Sequence, residues 1–155
     1  MNQQMDDASL HEVGHHVTRA LFRHVPRCFI RTHSGLVAAG DDDLAALKIP
    51  FESTNSIARA WRDRRAVTVE EDAGATVVDR QILRRLGAER MLVVPLGDPE
   101  SPMGVLAFRL SDDDPAEAPL AMSTYAIEFG RWLKVLRHDE DRQLRLLREY
   151  QASHE

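Results

Sequence analysis

The sequence predicts a single α+β domain whose centre is an antiparallel sheet. Three observations lead there. Two pairs of apolar, strand-like segments are each joined by a polar link, which is the pattern of a β-hairpin. Apolar residues recur at helical spacing near both ends of the chain, and shorter amphipathic helices fall between the hairpins. The 155 residues contain no internal repeat or low-complexity tract and suit one domain.

Along the chain, Leu10, Val13, Val17, Ala20 and Leu21 predict an amphipathic helix over about 7–24, ended by Pro26. Residues 27–33 then alternate as a strand, with Cys28, Ile30 and Thr32 on one face and Phe29, Arg31 and His33 on the other. Ser34-Gly35 is a tight-turn signal before a second strand over 36–39. The acidic run Asp41–Asp43 can cap a short helix over about 43–48, which Pro50 closes. Ser53-Thr54-Asn55 offers another cap, for a two-turn helix carrying Ile57, Ala58, Ala60 and Trp61.

A short strand is expected over 66–69. Thr76 with Asp79 three residues later reads as a capping box for a helix bearing Val77, Val78, Ile82, Leu83 and Leu86, with Gly87 as its left-handed stop. Residues 91–96 and 103–110 form the strongest strand pair, rich in Val, Leu and Phe and joined by a six-residue polar loop. Asp112-Asp113-Asp114-Pro115 stops the last strand and begins a final helix. Leu120, Tyr125, Phe129, Trp132, Leu133 and Leu136 give that helix an apolar stripe, which a polar patch from Arg137 to Gln143 interrupts and Leu144, Leu147 and Tyr150 resume. The domain limits expected are a polar tail over 1–8, the domain proper over 9–137 and a helical extension over 138–155.

Composition narrows the function. Apolar residues at 43% and charged residues at 29% are ordinary for a globular protein. No apolar stretch approaches the length of a membrane span, and the amino terminus lacks a secretory pattern, so a cytoplasmic protein without a membrane partner is expected. A net charge of −5 argues against nucleic acid as the main partner, because gripping a polyanion needs a positive field. Arg nonetheless outnumbers Lys, with Lys48 and Lys134 the only two lysines, and a few well-placed Arg forks suit an anionic small ligand.

The stretch Leu86-Gly87-Ala88-Glu89-Arg90-Met91-Leu92-Val93-Val94-Pro95-Leu96, followed by Met103-Gly104-Val105-Leu106-Ala107-Phe108, resembles the late hairpin of GAF domains, and the element order over about 9–137 agrees. GAF domains are small-ligand sensors and dimerisation modules of signalling proteins. The resemblance implies a GAF/PAS-like α+β fold: a five- or six-stranded antiparallel sheet with the terminal helices on one face and connecting helices roofing a pocket on the other.

Three chemical readings of the residues remain. His11-Glu12-Val13-Gly14-His15 fits the His-Glu-x-x-His zinc pattern, yet it has no upstream edge strand to hold a peptide and no third ligand in a recognisable context, so a solvated helix face is the better reading. Cys28 is the only cysteine, which rules out an internal disulfide and the paired-cysteine chemistry of the methionine-sulfoxide-reducing GAF branch. It also stands outside the motif by which the bilin-binding branch holds its chromophore, and the dispersed signature of the cyclic-nucleotide branch is not found here. No cofactor is assigned.

What the resemblance implies is a regulatory, non-enzymatic domain with an unidentified small ligand. Its pocket would be lined by Phe29, Arg31 and His33 from the first strand, Ile57 and Trp61 from the roof, Val77 from the next helix, and Met91, Val93 and Phe108 from the late hairpin. Arg31 would anchor a carboxylate or phosphate. Val13 and Val17, with Phe129, Trp132, Leu136, Leu144 and Leu147, form apolar stripes that predict a homodimer, because a stripe outrunning its own domain leaves apolar surface in water. An effector domain or partner signalling protein would read the change. The alternative is a dimerisation scaffold whose interior is filled by its own side chains.

Overall fold

The computed structural model describes residues 26–39, 44 and 47–153. The helix expected over about 7–24, and with it Val13, Val17 and the His11–His15 pattern, lies outside the described residues. Strands Arg27–Arg31 (β1) and Leu36–Ala39 (β2) form the expected first hairpin, with Phe29 opposite Ala38 and Arg31 opposite Leu36. β1 is two residues shorter than alternation predicts. Thr32 leaves the ladder because its backbone N–H and its Oγ1 both donate to the Gly35 carbonyl, at 2.7 and 2.9 Å, so His33 sits in the turn.

Most of the short helix expected over 43–48 lies outside the described residues, but Lys48 belongs to a two-residue strand, Lys48–Ile49 (β3), that pairs with β2. Then follow Ser56–Asp63 (α1), Val67–Glu70 (β4), Val77–Leu86 (α2), Arg90–Leu96 (β5), Gly104–Leu110 (β6) and Ala118–Ser153 (α3). The expected Thr76–Asp79 capping box and the left-handed Gly87 stop are both present on α2. The six strands form one antiparallel sheet in the order β3-β2-β1-β6-β5-β4, with β5 and β6 paired along their full length.

Each face of the sheet has its own core. On one face Phe29, Leu36, Met91, Val93 and Val105 meet Ile57, Ala58 and Ala60 of α1 and Ile82 and Leu83 of α2. On the other, Leu92, Val94, Leu96, Leu106 and Phe108 meet Ala118, Met122 and Ala126 of α3. Full burial of each Leu, Ile or Phe contributes about 1.5–3 kcal/mol of transfer free energy, which favours the two-layered packing on each side. β5 and the first five residues of β6 are buried on both faces, and their continuous apolar runs reflect that.

α3 docks through an unusually close backbone contact. A Cβ on Gly130 would lie 2.2 Å from the Gly97 nitrogen, and the Gly97 N–H donates to the Ala126 carbonyl at 2.9 Å. Gly97 itself has φ +98°, a left-handed conformation in the turn after β5. The helix runs its full 36 residues without a break, across the domain limit expected at 137/138.

Candidate functional site

Under the roof of α1 and α2 lies a buried polar cluster. Asn55 caps α1, its Oδ1 accepting from the Ala58 N–H at 2.9 Å while its Nδ2 donates to Ser53 Oγ at 2.6 Å. The Ser56 N–H and hydroxyl both donate to Asp79 Oδ1, at 2.9 and 2.6 Å, and Asp79 Oδ2 accepts from the Thr76 N–H at 3.3 Å. Asn55, Ser56 and Asp79 are all buried, and the Asp79 carboxylate is satisfied from three directions. Asp79 therefore ties α1 to α2. Its local half, the capping box, is visible in the sequence; its bond to Ser56, 23 residues away, is not.

The nine pocket candidates do not converge. Phe29, Ile57, Met91 and Val93 meet in one fully buried cluster, each 0% exposed. Trp61 lies at the margin of that cluster and stacks on Phe51 with ring centroids 5.5 Å apart. Phe108 points to the opposite face and meets Tyr125 edge-on at 6.3 Å. Val77, at the first position of α2, is 72% exposed. Arg31 and His33 are exposed at the end of the sheet.

Two cavities open at that end, on either side of Arg31. One of about 270 Å³ is lined by Arg31, Trp61, Arg62, Arg64, Glu100, Ser101 and Pro102. The other, about 380 Å³, brings Arg31 and His33 together with Ser101, Lys134 and Arg137. The arginines on the first side are partly engaged: Arg62 Nη1 donates to the Phe51 carbonyl at 2.9 Å and also to the Ser53 carbonyl, and Arg64 Nη1 donates to the Glu100 carbonyl at 3.1 Å. Sequence pattern does not draw Ser101, Lys134 and Arg137 into the site, because they come from a loop and from the middle of α3.

Nearby, Arg131 donates from Nε and Nη2 to Asp98 Oδ1 at 3.0 and 2.8 Å. The Arg131 hydrogen bonds, and secondarily the charges of Arg131 and Lys134, hold the Asp98 carboxyl below its ordinary range. Cys28 sits against the α3 core, where burial pushes its thiol up to about 11. It is therefore a neutral thiol at physiological pH and ill-suited to nucleophilic attack. Among the described residues, no group of three His, Cys, Asp or Glu side chains could hold a metal ion. Among the same residues, no helix is long and apolar enough to cross a membrane.

The dimer candidates form a separate surface. Phe129 is half-buried and stacks on Tyr125 at 5.6 Å. Beyond it Trp132, Leu136, Leu144 and Leu147 are 40–57% exposed, joined by Val135, Leu146 and Tyr150. At about 100° per residue, Phe129, Trp132, Leu136, Leu147 and Tyr150 fall within an arc of about 60°, with Leu144 on its flank.

Sequence comparison finds no matching family and no matching curated protein. Comparison of structures does find similar folds. The chain is similar to the GAF domain of a two-component sensor histidine kinase from Bacillus halodurans, at TM-score 0.54 and 15% identity over 82% of this chain and 97% of that one. It is also similar to the PixJ GAF domain of Thermosynechococcus elongatus in its blue-light absorbing form, at TM-score 0.53 and 20% identity over 84% and 86% of the two chains. With the sheet order, the two-faced core and the roofing helices already described, these likenesses establish that the chain has the fold of a GAF domain.

Proposed function

We propose that the chain is a regulatory domain of a signalling protein, acting by binding and association rather than by catalysis, and dimerising through its terminal helices. The observation that carries the reading is the exposed apolar stripe of α3, which runs past the sheet and has nothing beneath it to cover it among the described residues. Monomers seldom keep such a surface in water. Two copies of α3 laid side by side would bury Trp132, Leu136 and Leu147, and their relative tilt would be the signal passed to an effector. The fold shared with a sensor histidine kinase domain and with PixJ supports the signalling setting. A small ligand acts in this scheme by favouring one arrangement of the pair.

Light scattering on a sizing column tests it. The chain should elute at twice its 17.5 kDa mass at micromolar concentration, and L136E with L147E should elute as a monomer that keeps its helical signal. A wild-type monomer overturns the reading. A ligand-free scaffold is the second reading, supported by the full burial of Phe29, Ile57, Met91 and Val93 where the roofed pocket was expected. Native mass spectrometry separates the two: a small molecule released from the purified dimer supports sensing, and consistently bare dimer supports the scaffold.

A further inference from the structure

The cavity of about 380 Å³ at the sheet end lies outside the roofed face, and its chemistry is uniform. Arg31 and His33 line one side, Lys134 and Arg137 the other, Ser101 adds a hydroxyl, and no carboxylate residue is among the lining. Among the described residues none of these four basic groups is within ion-pair distance of an acid. Across Arg31 the smaller cavity adds Arg62 and Arg64, with Glu100 the single acidic residue of the two linings. Six basic residues thus gather at one end of a chain whose net charge is −5.

The fold places them there. Met122, Ala126, Gly130, Lys134 and Arg137 follow one another at i+4, i+4, i+4 and i+3, so they share one face of α3. Met122 and Ala126 press that face into the core, and Gly130 presses it onto the turn at Gly97. The next two members of the face, Lys134 and Arg137, are thereby carried past the sheet and over the β5–β6 loop.

The opposite wall is fixed to the same loop. The Arg31 N–H donates to the Met103 carbonyl at 3.0 Å, and the Met103 N–H donates to the Leu96 carbonyl at 2.8 Å. The Ser101 N–H closes the loop on the Asp98 carbonyl at 2.9 Å. Asp98, on the same loop, is paired with Arg131. Walls built on backbone bonds and a helix keep like charges close at little further entropic penalty to a ligand.

We propose that this groove binds the phosphoryl group of a small phosphorylated molecule. Two guanidinium forks, an ammonium, an imidazole and a hydroxyl approach from different sides, which suits a tetrahedral dianion better than a flat carboxylate. The volume falls in the range of small-molecule sites and leaves room for an organic body beyond the phosphate. Because Lys134 and Arg137 lie on a different side of α3 from Trp132 and Leu136, the site does not depend on the dimer.

Inorganic pyrophosphate, titrated into isotopically labelled full-length chain at constant ionic strength, tests the proposal. Saturable amide shifts are expected at Thr32, His33, Ser101 and Met103, with half-saturation below about 1 mM. The doubly substituted R31E/R137E should weaken that binding by about tenfold or more, while R80E, an exposed arginine on α2, should not. Both sites are exposed, so the fold should survive; K134A provides an independent variant, expected to weaken binding in the same direction. The proposal is overturned by shifts scattered over unrelated basic residues, by absence of saturation, or by equal weakening in R80E. It is also overturned if vesicles of phosphatidylglycerol or duplex DNA bind through these residues while pyrophosphate does not.

Discussion

Replacing Gly130 by alanine sets two effects of opposite sign against each other, and the geometry decides between them. Alanine is the better helix former by about 1 kcal/mol, so the substitution should stabilise an isolated helix. Here the new Cβ would lie 2.2 Å from the Gly97 nitrogen, 2.3 Å from its Cα and 2.8 Å from the Leu96 carbonyl carbon. Normal contacts need about 3.5–4.0 Å, and since every obstructing atom is backbone, no rotamer change relieves the clash. α3 must lift, which stretches the 2.9 Å bond from the Gly97 N–H to the Ala126 carbonyl. Overpacking of this kind destabilises by about 1–3 kcal/mol and the lost hydrogen bond by about 1 kcal/mol. The net expectation is a loss of about 2 kcal/mol, and in a chain of this size a fall in Tm of about 4–8 °C. Thermal unfolding followed by circular dichroism reads it directly. An unchanged or higher Tm in G130A would mean that the helix does not rest on Gly97, and the placement of Lys134 and Arg137 would fall with it.

Two further outcomes are expected. D79A should lower stability by about 3 kcal/mol, since it strips the acceptor from the buried Ser56 N–H and hydroxyl and opens the capping box. Urea unfolding should show the lower midpoint at unchanged slope, and a loss below about 0.5 kcal/mol would refute the tie between α1 and α2. The Cys28 thiol, raised by burial from an ordinary 9.0 to about 11, should react with iodoacetamide at pH 8 about 100-fold more slowly than an exposed thiol. The same shift fixes a direction for stability. The unfolded chain loses this proton first, so stability is level below about pH 9 and falls as pH rises toward 11, by at most about 3 kcal/mol. C28A should reduce that decline without abolishing it, because burial also raises the Tyr125 hydroxyl; an unchanged alkaline profile in C28A would contradict the shift.

The features visible in the sequence are those whose cause is local. The Thr76–Asp79 box and the Gly87 stop depend on residues within a turn of one another, and the late hairpin announces itself through two apolar runs and one loop. Sequence pattern places Lys48 at the end of the short helix over about 43–48, because a two-residue strand carries no period, and only pairing with β2 makes Lys48–Ile49 extended. Alternation divided each strand into two faces but left open which faces coincide. The pairing of Phe29 with Val105 settles this, putting Phe29 under the roof and Phe108 beneath α3. Val77 fits the apolar spacing of α2, yet at the first helical position its side chain stands exposed. The basic groove joins a hairpin turn, a loop and a distant helix, a juxtaposition that no window along the chain contains.

The glycine contact also gives α3 a mechanical character. At about 1.5 Å per residue the 36-residue helix is about 54 Å long, and the part beyond Gly130 accounts for about 35 Å of it. Bare backbone against bare backbone at Gly97 makes a fulcrum, with a short arm buried in the sheet and a long arm free of it. A tilt of about 10° on that fulcrum would sweep the far end through about 6 Å, close to one helical turn. The buried arm is about 18 Å long, so a displacement at its start would be magnified nearly twofold at Tyr150.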